Sequence, residues 1–410
     1  MHTNLNWKRN ITIFLASQSV SLFGSSLVQY AIMWHINLKT QSGFMITLSI
    51  IFGFLPTFFL SPFAGVWADR FNRKMLIVLS DSLIAVTTLI LAILFLNGYE
   101  NIWLLFIASS IRAVGSAIQT PAINAFLPNL VPEDKLTKVN GINGSVQSLV
   151  MLISPMISGI LLDKANLVII FLIDIVTAGA AVSILLLFLH VPAHAKALVK
   201  QNTGYFSDLG KGISYIKSND FIRTLFMYCG FYFLFVAPLA FLTPLQVTRS
   251  FGEDVWRLTA IEVTFSIGMM LGGILIATVG GFKNKLYSMV LSSTIMGVGT
   301  ISLGIIPIFW IYLVFMGIVG FGMPLFNTPF TVLLQQKVDE DYMGRVFGVF
   351  GMLSSSIMPL AMLIYGPLAD IVEIEWILVV TGVFILIQCF FMIRNKTLLL
   401  AGREEVVREL

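Results

Sequence analysis

Gly65-Val66-Trp67-Ala68-Asp69-Arg70-Phe71-Asn72-Arg73-Lys74 places three cations and one carboxylate between two long apolar stretches. Residues 44–66 upstream carry no charge, and residues 75–96 downstream carry only Asp81. Each stretch can cross a hydrocarbon core of roughly 30 Å, since ~20 helical residues suffice. The charged segment is too short for anything but a turn at a membrane surface.

The rest of the chain agrees. Of 410 residues, 57% are hydrophobic and 11% charged, and soluble domains carry about 25% charged residues. The mean hydropathy is +0.90. This composition describes a polytopic membrane protein that the lipid bilayer surrounds. The first span, residues 11–34, follows Trp7-Lys8-Arg9 as a secretory leader would. It is longer than the ~7–15 apolar residues of a leader, holds Gln18 and Gln29, and runs straight into a second span, so it is expected to be retained. Two cysteines, Cys229 and Cys389, both in apolar stretches, give no disulfide framework and no cysteine-based metal site. The net charge of +4 is no argument for nucleic acid, and no cofactor is called for.

Apolar runs and polar breaks define twelve helices, at roughly 10–36, 43–67, 74–96, 102–127, 137–162, 166–189, 221–247, 258–280, 286–307, 310–334, 345–367 and 376–394. With the N-terminus inside, twenty of the 25 lysines and arginines fall on one side and four on the other, with Arg112 left in the bilayer. Cytoplasmic loops carry such an excess, which places both termini in the cytoplasm.

The only long polar break divides the chain into a six-helix bundle at 1–190, a cytoplasmic linker at 191–220, a second six-helix bundle at 221–394 and a cytoplasmic tail at 395–410. The halves echo one another. Val131-Pro-Glu-Asp-Lys-Leu-Thr-Lys138-Val139-Asn-Gly141 matches Val338-Asp-Glu-Asp-Tyr-Met-Gly-Arg345-Val346-Phe-Gly348 at an offset of 207 (131 to 338, 141 to 348). Asp163 and Asp370 keep that offset, each closing a helix at the outer surface. Inside the first half, Asp81 precedes Leu94-Phe95-Leu96 as Asp174 precedes Leu187-Phe188-Leu189, both at an offset of 93. Coincidence competes with an inverted repeat for this inner echo.

The pattern G-x-x-A-D-R-x-x-R-K at 65–74 resembles the loop between helices 2 and 3 of the major facilitator superfamily of transporters. Asn72 stands where that family usually has glycine, and asparagine tolerates the left-handed turn a glycine would fill. Ile111-Arg112 with Gly115 resembles the family's arginine-bearing motif on helix 4. Ser154-Pro155 with Ser158-Gly159 resembles the glycine–proline motif of antiporters on helix 5, with serines replacing two glycines. Gln18, Gly53-Phe-Leu-Pro56, Thr120-Pro121-Ala122, Leu130-Val-Pro-Glu133, Leu136-Thr-Lys138, Gln147-Ser148, Glu262, Gly280-Gly-Phe282 and Gly344-Arg-Val-Phe347 look most like the macrolide-efflux branch. The resemblance implies an all-α fold of two pseudo-symmetric six-helix bundles with nested inverted repeats, rocking about a central site. It also implies a plasma-membrane location and, as is usual in the family, a monomer.

An ionisable side chain at mid-membrane costs about 2.5–3.5 kcal/mol on insertion scales, so each such group needs a reason. Arg112 either holds a carboxylate deprotonated until substrate or a proton competes, or bonds carbonyls freed near Pro121. Glu262 either carries the coupled proton or reaches the outer surface to pair with Arg257. Asp81 and Asp174 lie on helices 3 and 6, peripheral supports in this fold, where structure is the expected role. Asp81 is the reserve for proton coupling, by reaching toward Arg112 or the hinge. The resemblance gives Asp69 and Arg70 a cytoplasmic gate, with Asp69 at the N-terminus of helix 11 near Gly344-Arg345, where a carboxylate is stabilised. Gly65, Arg73 and Lys74 complete that gate, or serve as a topology signal.

Helices 1, 4, 7 and 10 line the central cavity in this fold. They offer Gln29, Tyr30, Met33, Asn124, Tyr228, Tyr232, Phe235, Phe321 and Asn327, an aromatic site suited to bulky amphipathic compounds, although many such side chains simply pack or face lipid. The expected partners are a hydrophobic small-molecule substrate and protons. No G-x-x-x-x-G-K-[ST] occurs, which argues against an ATP-driven pump, and no H-E-x-x-H, which argues against a membrane metalloenzyme. The expected function is proton-driven export of macrolide-like compounds. Transport of another small solute is the alternative, and a receptor or channel a further one.

Overall fold

The computed structural model describes residues 7–132, 135–189 and 205–401, without the side chains of 62, 66, 69, 70, 137, 205–209, 340, 341 and 401. Fourteen helices and no strand occur among these residues. They are α1 (Trp7–Thr40), α2 (Gly43–Arg70), α3 (Arg73–Leu96), α4 (Ile102–Leu130), α5 (Leu136–Lys164), α6 (Leu167–Phe188), α7 (Tyr205–Ser218), α8 (Asp220–Ser250), α9 (Val255–Val279), α10 (Lys285–Ile305), α11 (Phe309–Lys337), α12 (Glu340–Leu368), α13 (Ile374–Arg394) and α14 (Lys396–Ala401). Among the described residues, twelve of these are long and apolar enough to cross a membrane.

Asparagines start several helices. Asn72, Asn101, Asn166, Asn219 and Asn284 each accept a hydrogen bond from a first-turn N–H of the helix that follows, satisfying a donor the helix leaves unpaired. Asn72 corrects an expectation. It sits at φ −64°, not in the left-handed region, and accepts from the Met75 N–H at 3.3 Å. Asparagine stands here as a helix cap, a task glycine performs without a side-chain acceptor.

Most spans outrun their apolar stretches because their ends continue into polar flanks. α1 extends from Trp7 to Thr40, with Lys39 in its last turn. Inside the linker expected at 191–220, residues 205–218 form α7, with Ile213 and Ile216 three apart on one face, as one side of a surface helix requires. The 191–204 stretch lies outside the described residues.

The chain forms two compact units. The first holds α1, α3 to α6, α2 from Leu48, and Asp254–Thr259 at the start of α9. Within it α1 packs on α5 and α6, and α3 on α4 and α6. Phe14, Trp34, Phe106 and Phe171 are fully buried there. The second holds Gln41–Thr47, α7, α8, α9 from Ala260, and α10 to α14. There α10 packs on α11 and α13, and α8 on α12 and α13.

Among the close helix approaches, one in each unit echoes the other. In the second, Gly366 on α12 lies against the first turn of α2, where a Cβ would come within 2.6 Å of the Gly43 carbonyl oxygen and 2.9 Å of Thr47 Cβ. Thr47 donates its hydroxyl to the carbonyls of Gly43 and Met362, both at 2.9 Å. In the first unit, Gly159 on α5 meets Thr259, the start of α9, and Trp34. Gly159 and Gly366 are themselves 207 apart. The repeat therefore keeps a packing device in both copies: a glycine that lets a threonine-bearing helix start lie close.

Asp370, two residues beyond α12, secures the first of these contacts. Its carboxylate accepts from the backbone N–H groups of Gly43 (2.7 Å) and Phe44 (2.9 Å), the Ser42 hydroxyl (2.8 Å) and the Arg249 guanidinium (2.8 Å). Arg249 also donates to the carbonyls of Gln41 and Ala369. Burial acts to raise the Asp370 pKa, but these hydrogen bonds outweigh it and hold the carboxyl below the usual range. A depressed pKa means the contribution is complete above the ordinary carboxylate value and disappears as pH falls through the lowered one. Thermal unfolding of Asp370→Asn and wild type is thus expected to differ at neutral pH and to converge in strong acid. A gap that persists unchanged at low pH rejects the assignment.

Candidate functional site

The first unit contains a ladder of buried polar groups where an apolar interior is the default. On α1, Ser21 and Ser25 are four apart and share a face. On α4, Arg112, Gly115 and Gln119 lie on one face across two turns, and α3 supplies Asp81 and Thr88 at the same seven-residue spacing. α6 supplies Asp174. Gly115 permits this convergence: a Cβ there would approach Ile84 at 2.7 Å and the Ser80 carbonyl oxygen at 3.2 Å.

Two rungs result. In one, Asp81 Oδ1 accepts from the Ser21 hydroxyl at 2.6 Å and the Gln119 amide at 2.7 Å. Gln119 also reaches Gln18 Oε1 at 3.5 Å. In the other, Asp174 Oδ2 accepts from Arg112 Nη1 at 2.5 Å and Thr88 Oγ1 at 2.8 Å, while Oδ1 accepts from Ser25 at 3.3 Å. Arg112 Nη1 also bonds the Thr88 hydroxyl, and Nη2 donates to the Ser25 carbonyl at 3.2 Å. The Asp174 side chain is 0% exposed and that of Arg112 10%, so this pair has little water to screen it.

The rungs match the inner echo of the sequence. Asp81 and Asp174, 93 apart, occupy corresponding places on α3 and α6. Each takes a serine from α1 and a donor from α4. Their completion differs. Asp174 has a guanidinium, whereas Asp81 Oδ2 and Gln18 Nε2 are buried with no hydrogen-bond partner among the described residues.

Several expectations are corrected. Arg112 bonds Asp174 and the Ser25 carbonyl rather than carbonyls near Pro121, because α3, α4 and α6 converge around it. Asp174, expected as a peripheral support, is the buried counter-ion. Asp81 does not reach Arg112; Ser21 and Gln119 hold it one rung away. Arg257 pairs with Asp254 at 3.2 Å, one turn back, and not with Glu262. Glu262, in the second unit, is half-buried and makes no hydrogen bond or ion pair among the described residues.

The remaining candidates are dispersed. The side chains of Asp69 and Arg70 lie outside the described residues. Arg73 donates to the carbonyls of Ala68 (2.9 Å) and Ala125 (2.8 Å), and Lys74 to that of Leu189 (2.8 Å). Gly65 is half-buried and Gly344 exposed. Arg345 stacks over Tyr342 at 5.5 Å. On α5, Ser154 is buried and without a hydrogen-bond partner among the described residues, Pro155 lies within the helix, and Ser158 donates to the Leu27 carbonyl at 3.0 Å. Gln29, Asn124 and Asn327 are exposed and Met33 half-buried. Tyr30 tilts against Trp34 at 5.5 Å. Phe235 stacks on Phe384 at 5.1 Å. Tyr232 is packed rather than accessible: 1% exposed, it stacks on Phe326 at 4.1 Å.

A bilayer-length helix bundle with an ion pair inside it is a polytopic membrane protein, and the comparisons make it a transporter. The sequence profile of the Major Facilitator Superfamily matches residues 10–362, and the chain belongs to that family. It is 29% identical over 383 residues to Macrolide efflux protein A of Streptococcus pyogenes, covering 93% of this chain and 94% of that one. It is also 29% identical over 323 residues to Macrolide efflux protein A of Enterococcus faecalis, covering 78% of this chain and 99% of the relative. Among solved structures, the nucleoside transporter NupG superposes with a TM-score of 0.69 at 14% identity, over 95% of this chain and 99% of that one. The protein is thus a multi-pass membrane transporter and not an enzyme.

Proposed function

We propose that the chain exports hydrophobic or amphipathic macrolide-like compounds across the plasma membrane, in antiport with protons, by alternating access. Both termini lie in the cytoplasm, and the protein works as a monomer. The observation that carries the coupling is the two-rung ladder. One carboxylate, Asp174, is tied to Arg112; the other, Asp81, keeps a buried oxygen without a donor. A buried carboxylate oxygen without a donor is costly, so Asp81 Oδ2 is a seat for a transferable proton, one rung from the Arg112–Asp174 pair that also holds the Ser25 carbonyl of α1. Glu262, unpaired in the second unit, is the other proton-coupling candidate. Residues 65–74, with Gly344 and Arg345, form the cytoplasmic gate. Gln29, Tyr30, Met33, Asn124, Tyr232, Phe235 and Asn327 bind the exported compound, Tyr232 by backing that surface from the core.

The energetics suffice. About 2.3 kcal/mol per charge at 100 mV and about 1.4 kcal/mol per pH unit together sustain roughly a 500-fold gradient per proton. The similarity to macrolide efflux proteins over nearly the whole chain supports the substrate class.

The test is accumulation of a labelled macrolide in a drug-sensitive host. Cells making the protein should exclude the label, and a protonophore should remove the exclusion. Asp81→Asn and Glu262→Gln, each present at wild-type level, separate the two carriers: the variant that loses exclusion identifies the proton site. Equal accumulation with and without the protein rejects the substrate class. Exclusion that survives the protonophore rejects proton coupling.

A further inference from the structure

The second unit carries an open groove of about 710 Å³, formed by α7, α8 and α12. Its walls are apolar along their length. Phe226, Met227, Phe231 and Leu234 of α8 face a row on α12 that runs from Val349 to Ile364. From Arg223 to Leu234 the α8 wall is roughly 16 Å long at 1.5 Å per residue, close to the ~15 Å of one leaflet's hydrocarbon. Gly230 keeps it open: a Cβ there would touch only Ile357, at 3.4 Å.

The groove is apolar throughout except at the end that adjoins the linker. There Lys217, on the last turn of α7, and Arg223, on the first turn of α8, form part of the lining. Lys217 is exposed and makes no ion pair among the described residues. Arg223 meets Asp220 at 2.9 Å, but the two side chains are 59% and 76% exposed, and such a surface pair holds its partner weakly. Both cations are therefore available to an anion. α7 lays Ile213 and Ile216 into the groove, which fixes this cationic mouth beside the apolar slot.

We infer that this groove binds an anionic phospholipid from the leaflet adjoining the linker, its phosphate at Lys217 and Arg223 and an acyl chain along α8 and α12. A transported compound would fit the walls equally well. The two cations at one end, a leaflet's depth from the other, favour a molecule with a single anionic head and a long apolar tail. Basic residues at a membrane surface draw anionic lipids in this way, each adding roughly a factor of five in affinity.

The experiment uses the full-length protein, purified and stripped of lipid, titrated in detergent micelles with fluorescent phosphatidylglycerol and phosphatidylcholine. Phosphatidylglycerol should bind about 25-fold more tightly, the product of two such factors. Lys217→Gln with Arg223→Gln should bring the two lipids to equal affinity, and Gly230→Leu should weaken both. The charge variant leaves the apolar walls intact and tests the assignment even if Gly230→Leu does not fold. Equal binding of the two lipids to wild type overturns the inference, as does unchanged preference in the charge variant. Displacement of phosphatidylglycerol by a macrolide at equimolar concentration overturns it too, and assigns the groove to the transported compound. Lipid binding is measured without transport, so its failure leaves the proposed export untouched, and the reverse.

Discussion

Replacing Arg112 with glutamine is expected to reduce export to that of cells lacking the protein and to lower the amount of protein in the membrane. Removing the guanidinium leaves Asp174 buried with only Thr88 and Ser25 as donors. Breaking a buried pair in this way costs about 3–5 kcal/mol, a large part of a typical stability of about 5–15 kcal/mol. Lost protein alone does not distinguish a scaffold from a coupling group, and a second variant does. Arg112→Gln with Asp174→Asn keeps side chains that still hydrogen-bond, and removes both charges together. Quantification of the purified double variant should show protein restored toward wild type. Accumulation assays should show export still absent. Full export by the double variant would mean that the pair only braces α1, α3, α4 and α6.

The second large effect is expected at Gly366. Leucine there must displace the Gly43 carbonyl, Thr47 or α12 itself, since even its Cβ has no room. Overpacking of a tight helix contact costs about 1–3 kcal/mol. Displacing the first turn of α2 also draws its N–H groups away from Asp370. Thermal unfolding should fall by roughly 2–4 °C for each kcal/mol lost. Gly159→Leu should act likewise in the first unit, against Thr259 and Trp34. The two sites share no partner, so their effects should add. An unchanged unfolding midpoint for Gly366→Leu would show that the close approach is dispensable.

The number and type of the spanning helices were legible because a bilayer imposes long, uncharged runs, and 44–66 and 75–96 leave no other reading. The 207 offset marked Asp370 at a helix end. What it could not show was the partner: Gly43 and Arg249 lie far away in sequence, and only folding brings their donors to one carboxylate. Asp174 was misjudged for the same reason. Its position on α6 suggested a peripheral support, whereas its meeting with Arg112, 62 residues earlier, depends on the approach of α3 and α4 at Gly115. One signal was available. The 93 offset paired Asp174 with Asp81, and two such carboxylates each require a donor. Tyr232 illustrates the opposite difficulty. Aromatic residues fill both packed cores and binding surfaces, and spacing on α8 does not separate the two. α7 left only a faint trace, Ile213 and Ile216 amid lysines, because a short surface helix lacks the long apolar run that marks a span.

The charged chemistry embedded in the bilayer is unequally shared between the two copies of the duplicated fold. Asp81, Arg112 and Asp174 all belong to the first, and its twin retains Glu262. If the ladder carries the coupled proton as proposed, the first half supplies the coupling and the second is left to serve other needs. A chimera that keeps residues 1–190 and borrows its second bundle from a relative would then inherit its energy source from this chain and its cargo preference in part from the donor.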